Sequence, residues 1–170
     1  MPIIKSISLR LKLWALALTL VLLITMPVLG MMKVHFLDVG QGDSIFIQTA
    51  PGGTLLIDGG PPGAGEKVII PYLQGLGVDK IDYVIITHPH LDHIGGLISL
   101  LEVFPIGKIL ADGQVHTTRT YEHLLELILE KEIPFSFALR GQTMELAGVD
   151  EVLVLHPQRE FLPGLNNNSV

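Results

Sequence analysis

Residues 81–93 read Ile-Asp-Tyr-Val-Ile-Ile-Thr-His-Pro-His-Leu-Asp-His, an apolar run that leads straight into three imidazoles and a carboxylate. Tyr83, Val84, Ile85 and Ile86 follow one another without a polar break, the pattern of a strand buried on both faces. Beyond the cluster, Ile94, Leu97, Ile98 and Leu101 recur at helical spacing, and Pro105 ends that pattern. The cluster therefore lies between a strand end and a helix, where open α/β sheets hold their ligands. In an extended segment residues i and i+2 point the same way, so His88 and His90 can grip one ion together. Pro89 disfavours helical geometry at His88 and keeps that segment extended. Asp92 and His93 lie past the turn and point elsewhere. A single tetrahedral ion can hardly take all four side chains, whereas two neighbouring ions can. Imidazole with carboxylate suits zinc best, with manganese or iron as alternatives. A purely structural ion would favour a closed set of cysteines, and the chain has none.

Working outward, residues 33–39 read as a strand with Val34, Phe36 and Leu37 facing inward. His35 is then expected to be partly exposed. Strands at 44–49 and 54–57 follow, separated by the turn signals Gly40-Gln41-Gly42-Asp43 and Ala50-Pro51-Gly52-Gly53, so the chain opens as an antiparallel meander. Ile69, Tyr72, Leu73 and Leu76 mark a helix in which Pro71 must sit in the first turn or cause a kink. A strand at 106–111 is followed by a helix carrying Tyr121, Leu124, Leu125 and Ile128, with Thr118 as N-cap and Pro134 as stop. Three more strands are expected at 135–139, 143–146 and 151–155. This order predicts a layered α/β protein with a mixed sheet. Of the remaining histidines, His123 falls on the polar side of its helix. His116, in a loop beside Gln114, and His156, before Pro157, take structural readings, with a place at the edge of the site as the alternative.

The first thirty residues differ from the rest. Lys5, Arg10 and Lys12 precede a run of seventeen uncharged residues from Leu13 to Leu29, with Pro27 and Gly30 at its end. That order predicts a cleaved secretory signal peptide in residues 1–30, with a retained membrane anchor through residues 13–29 as the alternative. The protein is accordingly expected outside the cytoplasm, secreted or membrane-anchored. Those three cations are the only charges in residues 1–30. The net charge of −6 for the whole chain therefore becomes −9 for the body. Such a body has no strong nucleic-acid-binding surface.

Several stretches together carry a family resemblance. Thr87-His88-Pro89-His90-Leu91-Asp92-His93 resembles the second motif of the metallo-β-lactamase-fold superfamily. Leu37-Asp38-Val39-Gly40-Gln41-Gly42-Asp43-Ser44, Leu56-Ile57-Asp58-Gly59-Gly60 and Asn166-Asn167-Asn168-Ser169-Val170 resemble a narrower branch. That branch contains the hydrolase-like domain of ComEC-type competence proteins, which act in bacterial DNA uptake. The resemblance implies a four-layer αββα fold over residues 31–170, with its N-terminal part built on a mixed sheet and its second half incomplete. It implies two divalent ions, the first held by His88 and His90 and the second by Asp92 and His93. Asp92 would also be the catalytic residue that handles the proton of the attacking water. Asp58 would support the metals from behind, Asp43 and Ser44 would line the substrate side, and Asn168 would stand near the third-motif position. The usual third-motif histidine is replaced by Asn167, Asn168 and Ser169, as the competence-like branch leads one to expect. No segment supplies the bridging aspartate and late histidine of a second half, so the chain is expected to be a fragment. The implied reaction is attack of a metal-bound hydroxide on a phosphodiester or other ester-like bond. Its substrate would be a small-molecule or nucleic-acid-derived ester. The alternatives are β-lactam or lactone hydrolysis, and an inactive metal-binding or interaction module.

Overall fold

The computed structural model describes residues 11, 12, 14–16, 31–50 and 52–170. The expected leader in residues 1–30 lies, but for five of its residues, outside the described ones. No helix among the described residues is long and apolar enough to cross a membrane.

Six strands form one sheet in sequence order: β1 (Lys33–Phe36), β2 (Ile45–Gln48), β3 (Thr54–Ile57), β4 (Ile81–Ile86), β5 (Ile106–Ala111) and β6 (Phe135–Phe137). The first three pair antiparallel, as the meander expected from the sequence requires. From β3 onward the pairing is parallel, because each later connection carries a helix across one face. The result is a mixed sheet. A π-helical turn at Gly65–Ile69 runs into α1 (Ile70–Gly75), and α2 (Leu91–Ile94), α3 (Leu97–Val103) and α4 (Arg119–Glu130) follow. Pro71 lacks an N–H and would crowd the carbonyl four residues back. The wider preceding turn, in which the Ile70 N–H bonds Gly65 O, accommodates it. Thr118 caps α4, its side chain accepting from the Tyr121 N–H at 3.4 Å.

The helices cover one face of the sheet. Phe46, Leu56, Val84, Ile86 and Ile109 point into that layer and are buried against Ile69, Leu73, Leu97, Leu100 and Leu124. Each such side chain contributes about 1.5–3 kcal/mol. On the opposite face Leu55, Ile85 and Leu110 are covered by Ala138, Met144, Leu146 and Val154. These belong to a small antiparallel ribbon, β7 (Thr143–Met144) with β8 (Val152–Leu153), and its flanks.

β1 corrects one sequence expectation. Val34 and Phe36 are 43% and 79% exposed, whereas His35 turns toward the helical layer, beside Phe46 and Tyr72. His35 Nδ1 lies 2.9 Å from the Tyr72 hydroxyl. Hydrophobicity alone places Val34 and Phe36 inside. Register decides otherwise, because Val34 and Phe36 pair with Ile47 and Ile45 on the face away from the helices, at an edge that the ribbon does not reach.

Candidate metal centre

The C-terminal ends of β3, β4 and β5 share one edge of the sheet and place Asp58, Thr87-His88 and Asp112 side by side. Asp58 adopts a left-handed backbone (φ 56°), which turns the chain out of β3 at that residue. The turn that follows locks onto the histidine segment: the Gly59 N–H bonds His93 O at 2.7 Å, and the Gly96 N–H bonds Gly60 O at 3.1 Å. The β1–β2 loop closes over the same place. At Gly42 (φ 88°) a Cβ would lie 1.8 Å from Asp92 O, so only glycine permits that approach.

Asp58 is 1% exposed and organises the histidines. Its Oδ1 accepts from the Thr87 N–H at 2.8 Å, and its Oδ2 accepts from Thr87 Oγ1 at 2.6 Å and from His93 Nδ1 at 2.8 Å. Thr87 thereby spends its only hydroxyl proton on Asp58 and can only accept from His88 Nδ1, 3.0 Å away. Ser169 Oγ donates to Asn166 O at 3.1 Å, and it too can only accept from His88 Nδ1, at 3.2 Å. These contacts assign the proton of His88 to Nδ1 and leave Nε2 as the unprotonated ring nitrogen. His93 is fixed in the same sense by Asp58. A histidine that donates one ring N–H to an oxygen and presents the other nitrogen is the usual form of a metal ligand.

The Nε2 of His88 faces His90 Nδ1 at 3.0 Å. Two donors on one tetrahedral ion, at bonds of about 2.0–2.1 Å, stand roughly 3.3 Å apart, so this pair fits one ion. The rings of His88 and His93 are 4.0 Å apart between centroids. The hydrogen bond to Asp58 holds His93 above the ordinary histidine value against the opposing effect of burial. Burial, followed by the neighbouring charge of His93, lowers His88. Asp92 is half-buried. Burial raises its carboxyl, but the hydrogen bond from Gln41 Nε2 (3.1 Å), its own backbone and the nearby imidazoles outweigh that and leave it below the ordinary range. Asp43, 67% exposed, stands 4.0 Å from His93 Nδ1. Among the described residues no three His, Asp or Glu side chains form a complete ligand set. The centre consists of paired donors, open on the solvent side.

Ser44, expected on the substrate side, and Asn168, expected near the third-motif position, are both enclosed in the fold. Ser44 is buried (3% exposed) and donates to Asp58 O at 3.2 Å, behind the aspartate rather than in front of it. Asn168 is buried as well, and its amide is tied to Leu162, Gly164 and Gln114. Ser169, the next residue, is the one that touches His88. Sequence patterns assign no role to Thr87, Ser169, Gln114 or Asp112. Of the four, Thr87 carries a local signal, its place directly before the first histidine, and Ser169 carries one in its place within the Asn166–Val170 stretch. His116 lies near the cluster, its ring centroid 6.1 Å from that of His90.

Residues 37–163 match the model of the metallo-beta-lactamase superfamily. The chain belongs to this family. Its members are metal-dependent hydrolases. Among its relatives within the superfamily, ComE operon protein 3 of Bacillus subtilis is 29% identical over 81% of this chain and 20% of its own length. Competence protein ComA of Neisseria gonorrhoeae is 36% identical over 52% of this chain and 12% of its own length. The chain thus spans about a fifth or less of these competence relatives. A solved metallo-β-lactamase of Cronobacter sakazakii, a mutant of a form with the HARLDQ motif, superposes with a TM-score of 0.54 at 23% identity. The match covers 80% of this chain and 53% of that one, and it establishes the superfamily fold.

Proposed function

We propose that residues 31–170 form a competence-like hydrolase domain that cleaves a phosphodiester or related ester bond with the help of one or two divalent ions, zinc foremost. Residues 1–30 would act as an export signal or anchor that places the domain outside the cytoplasm. One observation carries the metal assignment. Donors and acceptors around Asp58 turn the unprotonated Nε2 of His88 toward His90 Nδ1, 3.0 Å away.

In this reading His88 and His90 hold the first ion, and Asp92 and His93 serve the second. A divalent ion at such a centre supplies Lewis acidity and a more acidic water. Asp92, kept ionised at neutral pH by its surroundings, accepts the proton of the attacking water. Asp58 and Thr87 keep both imidazoles in the orientation that presents Nε2. Gln41 and Asp43 stand at the mouth and face the substrate. The phosphodiester preference rests on the likeness to the competence proteins, and the acidic body limits long polyanionic substrates to those that the centre itself can hold.

The test is metal content by mass spectrometry after loading with zinc or manganese, followed by turnover of bis-p-nitrophenyl phosphate and of nitrocefin. The expected result is bound metal in the wild type, loss of that metal in His88→Ala/His90→Ala, and turnover of the phosphodiester alone. Equal metal in the double variant would overturn the site. Turnover of nitrocefin alone would replace the substrate class, and bound metal without any turnover would make the chain a binding module. The mass of the mature protein after secretion from a bacterial host tests the leader.

A further inference from the structure

The buried polar network behind the centre has no role in the chemistry proposed above, yet it holds a turn whose next residue, Ser169, stands against His88. Gln114 lies two residues past Asp112, beyond the end of β5, and is buried with Asp112 and Asn168. Its backbone N–H donates to Asp112 Oδ1 at 3.1 Å, and its side-chain amide donates both to Asp112 Oδ2 and to Leu165 O, the latter at 2.8 Å. Its Oε1 accepts from Asn168 Nδ2 at 2.9 Å, and its backbone carbonyl accepts from the Tyr121 hydroxyl at 3.2 Å. The side-chain hydrogen-bonding capacity that burial would otherwise leave unmatched is thus committed.

These bonds join two segments that are far apart in sequence. Gln114 belongs to the loop after β5, whereas Leu165 and Asn168 belong to a 3-10 turn, Leu165–Asn168. The residue immediately after that turn is Ser169, whose hydroxyl lies at His88 Nδ1. Its backbone is held from the other side, where His156 Nδ1 donates to Ser169 O at 3.0 Å and the Val170 N–H donates to Thr87 O at 3.0 Å.

We propose that Gln114 is a positioning residue of the metal centre: through Asn168 it holds the Ser169 hydroxyl against His88 Nδ1, and so keeps Nε2 of His88 free for metal. The proposal rests on the metal-centre reading above for its consequence, though not for its geometry. A glutamine is required there because its amide meets a carboxylate on one side and must accept on the other. Glutamate at 114 would keep the shape and the acceptor for Asn168, but it would set a second carboxylate against Asp112 and lose the donor to Leu165 O. Gln114 acts at a distance from the ion, because its side chain bonds Asp112, Leu165 and Asn168 rather than either histidine.

The experiment uses the full chain and four variants, Gln114→Glu, Ser169→Ala, Ser169→Thr and the double Gln114→Glu/Ser169→Ala. In metal-free protein, long-range 1H–15N spectra report which ring nitrogen of His88 carries the proton. Competition with a chromophoric chelator gives the zinc Kd. The wild type should show the proton on Nδ1. Gln114→Glu and Ser169→Ala should each move His88 toward the other tautomer and raise the zinc Kd about tenfold, the lower end for an outer-shell partner because Thr87 remains. Ser169→Thr, which keeps the hydroxyl, should match the wild type, and the double variant should be no weaker than either single one. A purely structural Gln114 would lower the melting temperature without moving the His88 nitrogen signals. That outcome, additive effects in the double variant, or a wild-type proton on Nε2 would each overturn the proposal. A wild type that binds no zinc would instead sink the functional reading, while the spectra would still decide this one.

Discussion

The two sides of the histidine cluster are built on opposite terms. Behind it, the buried Asp58 and the half-buried Thr87, His93 and Ser169 match donors to acceptors. In front, Asp92 has the Gln41 amide as its side-chain partner and Asp43 is largely in solvent. The difference shows how a site can be fixed in orientation and yet stay receptive. Ring direction and proton placement are settled from the inside of the fold, and the ligand-facing groups keep free valency. A metal-binding pair needs the first to hold its geometry and the second to exchange water for ligand.

The largest test of that contrast is Asp58→Ala. It leaves the Thr87 N–H, the Thr87 hydroxyl and His93 Nδ1 without their acceptor in a partly buried site, where each unpaired group costs at the lower end of about 1–3 kcal/mol. Urea unfolding in the presence of a chelator should show a loss of about 3–5 kcal/mol. A loss no greater than that of Asp43→Ala would remove the distinction between back and front. Gly42→Ala comes next, because the added Cβ meets Asp92 O and the residue must keep a positive φ. The β1–β2 loop should lift from the histidine segment at a cost of about 1–3 kcal/mol, read as a lower melting temperature.

A smaller effect concerns pH on the buried side. Burial raises the Asp112 carboxyl above its usual 3.8, and the hydrogen bonds from Gln114 only partly offset this. The folded chain therefore holds that proton more tightly than the unfolded chain does, and the stabilisation is fully present below pH 3.8. It is lost as pH rises through the folded value. The stability gap between the wild type and Asp112→Ser, measured by urea midpoint, should accordingly shift in favour of the wild type as the buffer is acidified. A pH-independent gap would contradict it. The smallest effect belongs to the open side: Asp43→Ala should change stability by less than about 0.5 kcal/mol, since an exposed carboxylate 4.0 Å from an imidazole is largely screened. Matching melting curves would sharpen the comparison.

Much of the framework was legible in the sequence because it is encoded locally. The apolar run at 81–86, the proline at 105 and the Thr118 cap define a strand and two helices through periodicity and stop signals. The histidine spacing was likewise readable, since i and i+2 share a direction in any extended segment. The face of β1 was not, because alternation shows only that His35 and Phe36 lie on opposite sides, and the neighbouring strands choose which side is covered. Nor could composition separate Asn168 from Ser169, whose roles depend on a loop more than fifty residues away in sequence.

By itself, then, the sequence determined the order of the elements, the mixed α/β class and the clustering of three histidines and an aspartate at a strand end. Those features depend on contacts between near neighbours along the chain. Only the tertiary structure decided that Thr87, held by Asp58, and Ser169 both stand at His88 Nδ1, that Ser44 stands behind Asp58, and that Gln114 ties the turn at Leu165–Asn168 to the loop after β5. A hydrogen-bond inventory can be closed only when both partners are in place, and here they are brought together by the packing of strands distant in sequence.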